Sequence, residues 1–188
     1  KLAYGERRRY LLGNQLDSVM NYPFANAILD YVKFKNANEF INSVMSIVET
    51  YPKASLDTLM NHIGTHDTER AITRLAEESA VGKGREWQNE HNNMPKEKYK
   101  LGVKMLKIAS AIQYTLPGIP SLYYGDEIGM QGMKDPFNRK TMIWDNQDKN
   151  LLKWYKRLGE IRNGCKAFSD GEFVPVVYQD SVVAYERV

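Results

Sequence analysis

The chain has 188 residues, and its 26 Lys and Arg against 23 Asp and Glu give a formal net charge of +3 at pH 7. This charge is too small to indicate a nucleic-acid partner, and Arg7-Arg8-Arg9 is a short run that a solvated helix face explains. No stretch approaches the roughly 20 apolar residues of a membrane span. The single cysteine, Cys165, excludes an internal disulfide and leaves the compartment open, with a slight preference for a reducing, cytoplasmic one.

Strand-like and helical patterns alternate along most of the chain. Short apolar runs that end in polar turns predict buried strands, and apolar residues at helical spacing predict helices between them. Period-two alternation predicts a hairpin near the end. The predicted elements are a strand at 15–20, helices at 24–34 and 36–50, a strand at 56–63, a helix at 68–78, a polar loop at 81–95, a helix at 95–116, a strand at 121–124, a loop at 125–141, a helix at 150–161, and strands at 172–178 and 181–185.

Three strand–loop–helix units followed by a hairpin indicate the α/β class. The alternation suits a part of a (β/α)8 barrel and a small doubly wound sheet equally well. A complete barrel needs about 250 residues, so a whole one does not fit in this chain.

The densest polar motif is Ile63-Gly64-Thr65-His66-Asp67-Thr68-Glu69-Arg70, directly after the second strand candidate. A carboxylate at this place is well positioned to face a polar ligand. The alternative is that Asp67 caps a helix that starts at Thr68. His62, on the strand itself, is expected to be a core residue.

Two further motifs surround the third strand candidate. Gly118-Ile119-Pro120 opens the first, which continues to Tyr124-Gly125-Asp126-Glu127, and Asp135-Pro136-Phe137-Asn138-Arg139 opens the second, which continues to Trp144-Asp145. Gly125 permits a backbone turn that a side chain would obstruct. The structural alternative for Asp135 and Arg139 is an ion pair within the loop.

Together these motifs resemble the α-amylase family of retaining glycoside hydrolases, in its neopullulanase and cyclomaltodextrinase-like branch. The resemblance implies that Asp67 is the catalytic carboxylate that stabilises the transition state. It implies that the other matching residues bind substrate (His66, Asp135, Arg139 and Tyr22) or support the site (Arg70, Glu127 and Tyr124). Arg70 is expected to hold Asp67 by a bidentate contact, with a surface arginine as the alternative. Asp126 and Glu127 are expected to brace loops, and Trp144 either lines the cleft or is buried.

The family's nucleophile and general acid are not found, because the chain has no Gly-x-Arg-x-Asp and no Gly-Glu pair in a suitable context. The resemblance therefore implies strands six to eight of a barrel in residues 1–165, then the start of a C-terminal β domain in residues 166–188. The missing N-terminal half of the barrel would be the partner of this segment, and the chain alone is expected to be inactive.

The implied activity of the parent protein is hydrolysis of α-1,4-glucosidic bonds in malto-oligosaccharides, cyclodextrins or related α-glucans. The alternative is a relative that only binds saccharide or a partner protein. No cofactor is implied, and no histidine has metal-ligand spacing. Some relatives bind calcium, through residues of the missing half.

Overall fold

A computed structural model of the chain describes residues 10–188, so Arg7-Arg8-Arg9 lies outside the described residues. Within this range the structure has eight helices, four short strands and two 3-10 turns besides the 3-10 residues 10 and 11. In chain order the elements are α1 (Tyr22–Phe34), α2 (Ala37–Val48), α3 (Lys53–Asp57), β1 (Met60–Asn61), α4 (Ala71–Ala76), α5 (Arg85–Glu90), α6 (Lys96–Thr115), β2 (Ile119–Pro120), the 3-10 turns Asp126–Ile128 and Phe137–Arg139, α7 (Lys149–Gly164), α8 (Ala167–Asp170), β3 (Phe173–Gln179) and β4 (Val182–Arg187).

Three chain segments form a parallel layer at the centre. Met20 pairs with Met60 in an isolated parallel bridge, and β1 pairs with β2 through Met60–Ile119 and Asn61–Pro120. All three segments therefore run in the same direction, and their carboxyl ends meet at one edge.

The predicted strands at 15–20, 56–63 and 121–124 were too long or displaced. Pro52 precedes Lys53–Asp57, which forms α3 because Leu56 packs inward and Lys53 pairs with Asp57 four residues later at 2.6 Å. β2 lies just before residues 121–124, although Ser121 N–H still donates to the Asn61 carbonyl at 2.6 Å.

Side-chain amides connect the three parallel segments. Asn21 Nδ2 donates to Asn61 Oδ1 at 2.9 Å, and Asn61 Nδ2 donates to the Pro117 carbonyl at 2.5 Å. Asn21 also accepts from Phe24 N–H and so caps α1. We call Asn21, Asn61 and the Pro117 carbonyl the amide ladder.

The long helices follow the sequence pattern closely. Asn36 is the cap of α2, and Asp148 caps α7 by accepting from two backbone N–H groups. The predicted polar loop at 81–95 is wrong in part because it contains α5, and the helix predicted at 68–78 is shorter, since it begins at Ala71. Buried faces of α1, α2, α4, α6 and α7 share one apolar core. None of the described helices is long and apolar enough to cross a membrane.

The C-terminal hairpin is antiparallel, as predicted, and packs on the helices. Phe173 and Tyr185 have ring centroids 4.9 Å apart and join the main core. The turn at Asp180 accepts a hydrogen bond from Ala37 N–H at 3.0 Å, which ties it to the start of α2. A domain boundary near residue 166 stays a prediction.

Candidate active site

Polar side chains from three separate chain segments converge on Asp67. Tyr22 Oη donates to Asp67 Oδ2 at 3.2 Å, and His66 Nε2 lies 3.3 Å from Oδ1. Arg139 Nη2 lies 3.9 Å from the same Oδ1. These residues follow Met20, β1 and β2, so the carboxyl ends of all three parallel segments contribute to one cluster.

The Asp67 side chain is 56% exposed, so its oxygens remain accessible to a ligand. Its backbone N–H donates to Thr65 Oγ1 at 3.1 Å, which closes a local turn. Helix α4 begins only at Ala71, with Arg70 at the cap position. Asp67 is therefore not a helix cap, and the structural alternative for this residue is wrong.

Asp135 and Arg139 extend the cluster along one side. Arg139 Nε lies 3.3 Å from Asp135 Oδ2, so the loop ion pair given as the structural alternative is present. Both side chains are about half exposed, and Arg139 also faces Asp67. The pair thus holds a guanidinium at the edge of an open surface, where its remaining N–H groups can donate to a ligand.

Arg70 contacts Asp126 rather than Asp67, so the expected bidentate contact with Asp67 is wrong. Its Nη1 donates to the Tyr124 carbonyl and lies 3.3 Å from Asp126 Oδ1. The guanidinium also sits over the rings of Tyr123 and Tyr124, 4.4 and 4.5 Å from their centroids. Arg70 is fully buried, which excludes the surface alternative as well.

Asp126 braces the loop after β2, as expected, through this buried pair. Burial raises the pKa of Asp126 to about 7, while the positive charge of Arg70 acts in the opposite direction. Asp126 Oδ2 faces Gly64, where an added Cβ would lie 2.1 Å from it. A side chain at position 64 would therefore force the buried Asp126 carboxylate to move. Glu127 has one buried oxygen, Oε2, without a hydrogen-bond partner.

Tyr124, a predicted supporting residue, and His62, an expected core residue, have defined contacts. Tyr124 Oη donates to the Lys140 carbonyl at 2.6 Å, which joins the loop after β2 to the Arg139 segment. His62 is buried, as expected, and lies edge-on to Tyr22 with ring centroids 4.5 Å apart. Burial lowers the pKa of His62 to about 4, so its ring is neutral at pH 7.

The sequence pattern did not single out Asn138, which the structure places behind Asp67. Its buried Nδ2 donates to the carbonyls of His66 at 2.8 Å and Thr68 at 2.7 Å. Trp144 is 79% exposed, so its burial under the loop is excluded. Within residues 10–188 no group of three His, Cys, Asp or Glu side chains is arranged to hold a metal ion.

A comparison with known protein families identifies the family of this chain. Residues 3–157 match the family model "Alpha amylase, catalytic domain", and the chain belongs to this family of glycoside hydrolases.

Among its relatives, an amylopullulanase of Thermoanaerobacter thermohydrosulfuricus is 36% identical over 94% of this chain, and a cyclomaltodextrinase of Thermoanaerobacter pseudethanolicus is 35% identical over 95%. The structure of a cyclomaltodextrinase superposes with a TM-score of 0.78 at 30% identity, over 96% of this chain and 28% of that one. The chain spans 12% of the amylopullulanase and 28% of the Thermoanaerobacter pseudethanolicus cyclomaltodextrinase.

Proposed function

We propose that this chain supplies one wall of the active site of a retaining hydrolase of α-1,4-glucosidic bonds, with Asp67 as the transition-state-stabilising carboxylate. The observation that carries the proposal is the convergence of Tyr22, His66 and Arg139 on an accessible Asp67. Its malto-oligosaccharide, cyclodextrin or other α-glucan substrate is inferred from the relatives named cyclomaltodextrinase and amylopullulanase.

Asp67 would accept hydrogen bonds from two hydroxyls of the sugar whose glycosidic bond is cleaved. These bonds strengthen as the ring distorts and gains oxocarbenium character, so the carboxylate favours the transition state over the bound substrate. Tyr22 donates to the oxygen opposite His66, and these contacts orient the carboxylate before substrate arrives. His66 would donate to the same sugar.

Arg139 and Asp135 would bind the next sugar on the non-reducing side. A guanidinium and a carboxylate in contact present both donors and acceptors, which is what vicinal sugar hydroxyls require. The 3.3 Å ion pair keeps both groups half exposed and in fixed relation. The two groups can therefore bind sugar hydroxyls in one orientation, and they carry no net charge that would attract ligands non-specifically.

We further propose that the three parallel segments are strands six, seven and eight of a (β/α)8 barrel, and that residues 166–188 open a C-terminal β domain. The nucleophile and the general acid would then lie in a longer gene product, here called the parent protein. The exposed apolar side chains of Met60, Ile119 and Leu122 support this arrangement, because other barrel strands would cover them.

The first test is release of reducing sugar from maltoheptaose by the 188-residue chain and by the parent protein, each with an Asp67→Asn variant. We expect no release from the chain alone. We expect release by the parent protein, falling about 10³-fold in the variant because one preorganised charge is lost. Arg157, exposed on α7 and paired with Glu160, provides a surface control through Arg157→Gln.

Three outcomes would contradict parts of this proposal. Activity of the 188-residue chain that disappears in Asp67→Asn would show that the nucleophile and acid lie within it, which contradicts the half-site proposal. A parent protein that binds maltoheptaose without cleaving it would indicate the saccharide-binding alternative. Full activity of the Asp67→Asn parent would exclude the role of Asp67.

A further inference from the structure

Asn138 connects the two sides of the proposed site from beneath. It is fully buried and lies in the 3-10 turn Phe137–Arg139, directly before Arg139. Its side-chain amide points at the loop that carries Asp67, 72 residues away in sequence from His66. No other described side chain donates to the backbone on both sides of Asp67.

The contacts of this amide bracket the carboxylate residue. Nδ2 donates to the carbonyl of His66 at 2.8 Å and to that of Thr68 at 2.7 Å, the residues before and after Asp67. A third, longer contact of 3.4 Å reaches the Thr65 carbonyl. One NH2 group therefore holds the peptide units on either side of Asp67 at fixed distance from the turn that carries Arg139.

Asn138 contacts the loop of Asp67 through the donor side of its amide. All three partners are carbonyl oxygens, so the group that faces them must donate and carry no negative charge. An aspartate would place a carboxylate against them, and a serine would supply a single hydrogen. Asn138 Oδ1 is buried without a partner, so the donor half of the amide makes all the contacts.

Two further hydrogen bonds join the segment after β1 to the segment after β2. Arg70 N–H donates to the Gly132 carbonyl at 2.9 Å, and Gly132 N–H donates to Thr73 Oγ1 at 3.0 Å. The segment after β2 is thus bonded to the segment after β1 at two separate places. Only the Asn138 contact reaches the residues that flank Asp67.

We propose that Asn138 is a positioning residue for Asp67, setting the distance and orientation of the carboxylate relative to Arg139. This inference rests on the role proposed for Asp67. A carboxylate that stabilises a transition state acts over a narrow range of geometry, and a displacement of about 1 Å can cost about 10²-fold in rate. Loss of the Asn138 hydrogen bonds to His66 and Thr68 therefore lowers kcat, because the sugar still binds while the Asp67 carboxylate is misplaced.

The test compares Asn138→Asp with Asn92→Asp in the parent protein. Asn92 is also buried, but only its Oδ1 has a partner, accepting from Met133 N–H at 3.4 Å. Aspartate preserves that acceptor, whereas at position 138 it removes the donor. Both variants add a buried carboxylate, so their comparison isolates the loss of the donor. The assays are kcat and KM on maltoheptaose and the thermal unfolding midpoint.

We expect Asn138→Asp to lower kcat about 10²-fold with KM changed less than about threefold. Asn92→Asp should keep kcat within about twofold of wild type. Asn138→Ser, which keeps one donor, should lie in between and serves if the aspartate variant does not fold. Equal kcat in Asn138→Ser and wild type, with both folded, would overturn the proposal.

A double variant distinguishes positioning of Asp67 by Asn138 from a general structural role of Asn138. If Asn138 acts through Asp67, adding Asn138→Ser to Asp67→Asn has no further effect on hydrolysis of an aryl α-maltoside, whose good leaving group keeps the residual rate measurable. Independent losses that multiply would show a merely structural role. Full activity of Asp67→Asn with a loss in Asn138→Ser would instead contradict the proposed function.

Discussion

The loops that follow β1 and β2 carry two carboxylate–arginine pairs, and these pairs differ in burial. Arg70–Asp126 and Arg139–Asp135 both have closest N–O distances of 3.3 Å. The first pair is 0% and 1% exposed, and the second is 44% and 58% exposed. The contact distance alone does not define the role of such a pair. The buried pair can only join loops, whereas the exposed pair keeps hydrogen-bonding capacity for a ligand.

Asp67→Asn and Asp126→Asn compare an exposed carboxylate with a buried one and give the largest expected effect. We expect the first to lower kcat of the parent protein about 10³-fold while the free energy of unfolding changes by less than about 0.5 kcal/mol. The second should leave kcat nearly unchanged and change the free energy of unfolding by less than about 2 kcal/mol, because burial already raises the pKa of Asp126 to about 7 and the amide keeps an oxygen towards Arg70. Steady-state kinetics and urea unfolding of both variants check this. The reverse pattern would contradict the division of roles.

Arg70→Met tests the buried pair from its other side. The variant leaves Asp126 buried without its cation and removes the contacts with the two tyrosine rings, so we expect a loss of about 3–5 kcal/mol. Arg70→Met with Asp126→Leu removes both charges and should be more stable than Arg70→Met alone. Urea unfolding checks both. A double variant whose losses simply add would show that the two charges do not interact.

Arg139→Gln tests the exposed pair. We expect kcat/KM on maltoheptaose to fall roughly tenfold, about 1.4 kcal/mol, because a charged donor to the sugar is lost. Stability should change by less than about 1 kcal/mol, since exposed ion pairs contribute little. Arg157→Gln, at a comparably exposed pair, is the control. Equal kinetics in the two variants would exclude Arg139 from substrate binding.

His62→Phe tests the pH dependence of stability. The pKa of His62 is about 4 in the fold and about 6.5 unfolded, so below pH 6.5 the unfolded chain binds more protons. The free energy of unfolding therefore decreases as pH falls from about 6.5 to about 4. Phenylalanine keeps a ring beside Tyr22 but does not titrate. Urea unfolding at pH 7 and 4.5 should show a smaller loss in the variant, and equal losses would contradict this prediction.

Most helices could be predicted from the sequence because their signals are local. The apolar spacing of α1, α2, α6 and α7 and the cap at Asn36 depend on residues within one or two turns. The parallel strands were less predictable, since each has only one or two paired residues and these depend on partners about 40 to 60 residues away. Local pattern therefore indicated a strand near each of the three segments but not its limits, and it displaced the third strand.

The site was predicted to the extent that its residues stand in recognisable motifs. Asp67, His66 and Arg139 do lie together. The partner of Arg70 could not be inferred, because Asp67, Asp126 and Asp135 are all nearby carboxylates and only the folded chain shows which one is buried with it. Asn138 carries no sequence signal of its own, since its contacts are backbone carbonyls.

The amide ladder has a consequence for folding kinetics. Its two hydrogen bonds join residues 40 and 56 positions apart, so neither forms until a long loop has closed. The helices between them involve mostly local contacts and can form earlier. We therefore expect the cluster around Asp67 to assemble late in folding. Variants of Asn61 should slow refolding only if the ladder is already formed in the transition state, and should otherwise accelerate unfolding.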